Sequence, residues 1–113
     1  MSDKSWKAWE RRVAKMFGGE RRGADYRSAS GGKNDIIKEG WSIEVKLLSR
    51  PSFGQMSAAF DQAVEASEPG DIPIAIIKKK FDLDENALVV MKLGEFMRVF
   101  VENSVLFHLV VIR

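Results

Sequence analysis

The chain contains no cysteine. That excludes a disulfide framework, a catalytic thiolate and a zinc–thiolate site. Histidine is nearly as scarce. The only one, His108, lies in an apolar segment and shares a strand face with Leu106 and Val110. It reads as structural and not as a general base. No apolar run approaches the length of a membrane span. The first residues, Met1-Ser2-Asp3-Lys4, are polar and lack the apolar core of a secretion signal. No internal repeat, low-complexity tract or long linker divides the sequence. Together these absences predict a single domain over residues 1–113, no membrane partner and a cytoplasmic location.

What is present is ordinary for a globular chain. Of the 113 residues 45% are hydrophobic and 30% charged, enough for one core. The net charge of +2 conceals an asymmetry. Residues 1–50 hold 12 Lys/Arg against 7 Asp/Glu, whereas residues 51–113 hold 6 against 9. A basic half suits a polyanionic partner, although such asymmetry is common in small domains.

Hydrophobic periodicity predicts a helix over residues 4–18, with Trp6, Trp9, Val13, Met16 and Phe17 on one apolar face. Gly18-Gly19 ends it. Residues 20–33 are basic and glycine-rich, with a short strand near Tyr26. Two strands follow, at about 34–38 and 41–48, joined by a turn at Glu39-Gly40. Pro51-Ser52 opens a second helix over 53–67, whose buried stripe is Met56, Ala59, Phe60, Ala63 and Val64. The run Ile72 to Ile77 reads as a strand covered on both faces. Lys78-Lys79-Lys80 reads most simply as its solubilising end and second as a DNA contact. A polar turn at 82–86, a strand at 87–91, a helix over 93–101 with Phe96, Val99 and Phe100 inward, and a strand at 105–112 complete the chain. This order predicts an α/β domain with a mixed sheet flanked by helices.

Chemistry concentrates on Asp35 and on Glu44-Val45-Lys46. Residues two apart on a strand share a face, so Glu44 and Lys46 point the same way. If strands 34–38 and 41–48 pair as a hairpin, Asp35 approaches Glu44. Two converging carboxylates repel unless a cation lies between them, and oxygen ligands favour Mg²⁺ or Mn²⁺. The other reading is a cross-strand salt bridge with Lys46 on a solvated face. Glu10 falls at the edge of the first helix's apolar arc, where it is either a third metal-site acid or one half of an ion pair. Arg11, Arg12, Arg21, Arg22, Arg27, Lys33 and Arg50 are candidate DNA contacts or solvated surface. Phe53 reads as a core or dimer contact. Gln55 completes the capping box Ser52-x-x-Gln55. Gln62, seven residues on, lies on the same flank of that helix.

Taken together, Trp9-Glu10-Arg11-Arg12, the stretch Tyr26-Arg27-Ser28-Ala29-Ser30-Gly31-Gly32-Lys33-Asn34-Asp35-Ile36-Ile37 and Ile43-Glu44-Val45-Lys46 resemble the PD-(D/E)XK nuclease superfamily. Within it they are most similar to archaeal-type Holliday junction resolvases. The resemblance covers roughly the first half of the chain. It implies a restriction-endonuclease-like fold and a homodimer that cuts DNA four-way junctions symmetrically with Mg²⁺ or Mn²⁺. By the same resemblance Asp35 and Glu44 are metal ligands, Lys46 is the catalytic lysine and Glu10 an additional active-site acid. Ser30 matches the loop serine near the scissile phosphate, and Arg27 a DNA-contacting arginine. Several branches of the superfamily use a glutamine on the second helix near the metal site, which makes Gln62 a better active-site candidate than Gln55. Asn34 stands where the family usually has a proline. The alternatives are a nicking or flap-type nuclease of the same superfamily, or a DNA-binding scaffold without catalysis.

Overall fold

A computed structural model describes residues 2–21 and 35–102. The expectations for Arg22, Arg27, Ser30 and Lys33, for a strand near Tyr26, and for the strand at 105–112 with His108 lie outside the described residues.

Helix α1 (Ser2–Met16) leads into the short strand β1 (Glu20–Arg21), then β2 (Ile36–Lys38) and β3 (Trp41–Leu48). Helix α2 (Phe53–Glu65) carries the chain to β4 (Ile72–Lys79). A 3₁₀ turn at Asp84–Asn86 precedes β5 (Leu88–Val90) and helix α3 (Leu93–Phe96), which widens into π-type winding over Met97–Val101. The five strands lie side by side in chain order. Only β3 and β4 run parallel, as the α2 crossover between them demands; the other neighbours are antiparallel.

The expected β2–β3 hairpin is present, with Ile36 opposite Ile43 and Lys38 opposite Trp41. Its tight turn depends on Gly40, whose φ of +84° favours glycine. Gly19 is required for a different reason. A Cβ there would come within 2.5 Å of the Ile37 carbonyl oxygen, so only glycine lets the end of α1 feed directly onto the sheet.

Alternation along β3 and β4 divides the core between two faces. Ile43, Val45, Ile74 and Ile76 pack with Ile36 against Trp9, Val13 and Ala14 of α1. On the other face Ala75 and Ile77 meet Ala59 and Phe60 of α2. There the buried Ser42 hydroxyl also donates to the Ala63 carbonyl at 2.6 Å. Ser52 and Gln55 form the expected capping box at the start of α2, each side chain bonding the other's backbone N–H.

Several expected burials are corrected. The buried arc of α1 runs through Trp9, Glu10, Val13 and Ala14, rotated from the expected stripe. Met16 (60% exposed) is therefore on the outside and Trp6 is 40% exposed. Val64 also faces solvent, because α2 meets the sheet through the small Ala59, Ala63 and Ala66 and its contact strip is narrow. Phe96 and Phe100 are not inward. They pack against each other, ring centroids 5.3 Å apart, on a helix beyond the edge strand β5. Phe53 is exposed and makes no core contact. Lys78 is buried, not a solvated strand end. β4 continues through it in register with Leu47, and the period of two turns its side chain onto the α1 face.

Candidate active site

β2 begins at Ile36, whereas β3 continues to Leu48. Beyond Glu44, then, the β2 side of β3 has no described strand beside it. Asp35 fills the start of this gap. Its N–H extends the hairpin ladder to the Ile43 carbonyl at 3.0 Å, and its carboxylate takes the next free donor, the Val45 N–H, at 2.7 Å. One step of register past the Ile36–Ile43 pair, Asp35 and Glu44 stand beside each other. Lys46 extends along the same strand, with Nζ 3.5 Å from Glu44 Oε2.

Helix α1 closes the gap from the other side. The Trp9 indole N–H donates to the Lys46 carbonyl at 3.1 Å, tying the helix to the strand that carries the lysine. The next residue, Glu10, is thereby turned into the gap, where it is 6% exposed. The resulting cleft, of about 480 Å³, is lined by Trp6, Glu10, Asp35, Val45, Lys46, Leu47 and Lys80. Glu10 of α1, Asp35 just before β2 and Lys46 of β3 thus line one cleft, with Glu44 beside Asp35 but not itself in the lining.

Ion pairs and a backbone hydrogen bond relieve the charges of this neighbourhood only in part. Burial, and then the adjacent Asp35 carboxylate, push Glu44 up to about 8, against the pull of Lys46. Burial also raises Asp35, opposed by the Val45 N–H and Lys46. Glu10 is raised by burial and by Asp35, although Arg21 Nε bonds it at 2.7 Å. Glu44 Oε1 is buried and has no hydrogen-bond partner among the described residues. A buried, unpaired carboxylate oxygen is costly, and a cation is one way to offset the cost. The donor set is entirely oxygen, which fits a hard divalent ion. Among the described residues no three His, Cys, Asp or Glu side chains are grouped closely enough to hold a metal. Asp35 and Glu44 form a pair, and Glu10 is drawn to Arg21.

The other expected site residues are dispersed. Arg11 is exposed on α1. Arg12 is engaged by Asp84, through Nε at 2.7 Å and Nη2 at 3.1 Å. Arg50 borders a different groove, with Pro51, Met56 and Lys79. Gln62 is exposed on α2 and does not line the acid cleft.

Sequence reasoning missed two participants, Arg21 as the partner of Glu10 and the Trp9 indole as the tether of Lys46; Lys80, read first as solubilising and only second as a DNA contact, lines the cleft. Only the first left a trace, because a carboxylate on an apolar arc calls for a cation. No family model, no curated protein and no solved structure matches the chain.

Proposed function

We propose that the protein is a Mg²⁺- or Mn²⁺-dependent DNA endonuclease with a restriction-endonuclease-like sheet. The observation that carries this reading is the pairing of Asp35 with Glu44, whose buried Oε1 has no described partner, beside the Lys46 ammonium. A structural salt bridge would leave Glu44 charged and satisfied. Here burial and the second carboxylate favour its neutral form.

In this reading Asp35 and Glu44 hold the ion. When bound, it supplies a Lewis acid for a phosphate oxygen and a water of lowered pKa. Lys46 orients the attacking water or neutralises charge on the phosphorane. Glu10, shared with Arg21, borders the cleft and adds to its negative potential. The β3 backbone is held by Trp9 and by β4, so Glu44 and Lys46 stand on a rigid strand, which favours precise positioning.

The best substrate is a Holliday junction, cut at symmetric positions by a homodimer. The motif order in the first half of the chain supports this, and Leu88, Val89, Leu93, Phe96 and Phe100 are exposed apolar side chains available to a second copy. The test is cleavage of an end-labelled four-way junction beside a linear duplex of the same arms, with Mg²⁺ and with EDTA. Paired cuts in the junction alone, lost in EDTA, are the expected result. Metal-dependent cutting of both substrates would leave a general nuclease. Binding without cutting would leave a scaffold.

A further inference from the structure

A second groove adjoins the acid cleft. It is lined by Ser5, Ala8, Arg12, Leu47, Lys78, Lys80 and Phe81, and it shares Leu47 and Lys80 with the cleft. Three cations therefore face it, with one carboxylate, Asp84, bonded behind Arg12 and Lys78. Lys80 has no ion-pair partner among the described residues, and Arg12 remains half exposed at its outer edge. The surplus of positive charge suits a polyanion running out of the cleft.

At the lip stands Phe81, wholly exposed at 103%. It is the sole non-glycine residue with a positive φ among the described residues, at +70°. The Asp82 N–H bonds the Lys79 carbonyl at 3.1 Å, so Phe81 occupies the third position of a tight turn, where glycine is favoured. The Lys80 N–H bonds the Leu48 carbonyl at 2.9 Å and anchors this turn to the end of β3, the strand of Glu44 and Lys46. A bulky aromatic is thus held in a backbone conformation that disfavours it, with its ring contributing nothing to the core. Strain and exposure at one residue beside a cationic groove call for a ligand with a flat apolar face and a negative backbone.

We propose that the Phe81 ring is a stacking platform for an unpaired base of a single-stranded nucleic acid, whose phosphates lie along Lys80 and Arg12. Duplex DNA hides the faces of its bases; an unpaired stretch presents them, and every base has one. The proposal takes from the nuclease reading only that the ligand is nucleic acid. It adds that the strand leaving the cleft is unpaired at this point.

The experiment is fluorescence anisotropy with a labelled oligothymidine and a labelled duplex, in EDTA so that nothing is cut. Phe81→Gly is the decisive variant. Glycine relieves the positive φ, so the melting temperature should hold or rise while affinity for oligothymidine falls by roughly 5- to 100-fold. Phe81→Tyr should bind as the native protein does, and duplex affinity should be unchanged by either substitution. Unchanged oligothymidine affinity in Phe81→Gly would overturn the platform, even if the protein cuts junctions. So would equal losses for duplex and single strand, or no binding of oligothymidine by the native protein. A Phe81-dependent affinity in a protein that cuts nothing would uphold the platform and sink the nuclease reading alone.

Discussion

Two charged clusters flank the same turn of α1, and they are built on opposite terms. In one, Asp84 accepts from both Arg12 and Lys78, the latter at 2.8 Å, and both cations lie over the Trp9 ring. The two cations, Arg12 first, hold the Asp84 carboxyl below its usual range. In the other, Glu10, Asp35 and Glu44 share Arg21 and Lys46, and all three acids are raised. The first cluster has more cations than anions and stabilises the fold. The second has three acids to two cations, and burial disfavours the charged form of each acid. Clusters that raise the pKa of buried acids are where function is to be sought.

The comparison breaks most visibly in activity. Glu44→Ala or Asp35→Ala should abolish cutting of a four-way junction in Mg²⁺ while gel-shift affinity for the junction survives. Loss of binding with an unchanged fold would count against the metal-ligand role. Lys46→Met should slow single-turnover cleavage by about 10²–10⁴-fold. Neither effect is expected from Asp84→Ala, which belongs to the stabilising cluster.

Stability should respond in the reverse order. Asp84→Ala leaves Lys78, 8% exposed, without its carboxylate and should cost about 1–3 kcal/mol in chemical denaturation. Glu44→Gln should instead stabilise the metal-free protein by about 1 kcal/mol or more above pH 8. The raised carboxyl favours the folded state below 4.5, and that contribution is lost as pH rises through about 8. The gain from Glu44→Gln should therefore vanish below 4.5; a gain that persists in acid would show that burial of charge is not its cause. Asp84 has the opposite sign. Its contribution is present above the ordinary carboxylate value of 3.8 and is lost as pH falls below it.

Divalent ion offers a way to make the second cluster behave like the first. Mg²⁺ at about 100 times its dissociation constant should raise the stability of the native protein by about 2.7 kcal/mol, and should not raise that of Glu44→Ala. An equal rise in both proteins would place the ion elsewhere. The smallest effect is expected from Arg11→Ala. Losing one phosphate contact should weaken binding to all DNA sequences alike and lower the salt-dependence slope by about 0.9.

Local patterns alone located most of the elements. The alternation and the Glu39-Gly40 turn placed β3 over its observed span, and Ser52-x-x-Gln55 marked the start of α2. The same alternation put Glu44 and Lys46 on one face. The helix faces were less legible. A wheel drawn from apolar residues included Met16 and Val64, yet the sheet contacts only the narrow arcs through Val13 and Ala63. Lys78 misled for a related reason: a lysine run looks solvated until the strand carrying it is known to continue beneath a tryptophan.

By itself, the sequence determined what depends on neighbours in the chain: the hairpin and its register, the helix caps, and the two acids and one lysine brought together by a two-residue turn. The tertiary structure alone decided which charge meets which. Arg21 reaching Glu10 joins two successive elements, while Asp84 reaching Arg12 across 72 positions and Trp9 gripping the Lys46 carbonyl across 37 are pairings between segments far apart in the chain. Their energies depend on burial and on a few tenths of an ångström. Neither quantity exists until the helix has settled on the sheet.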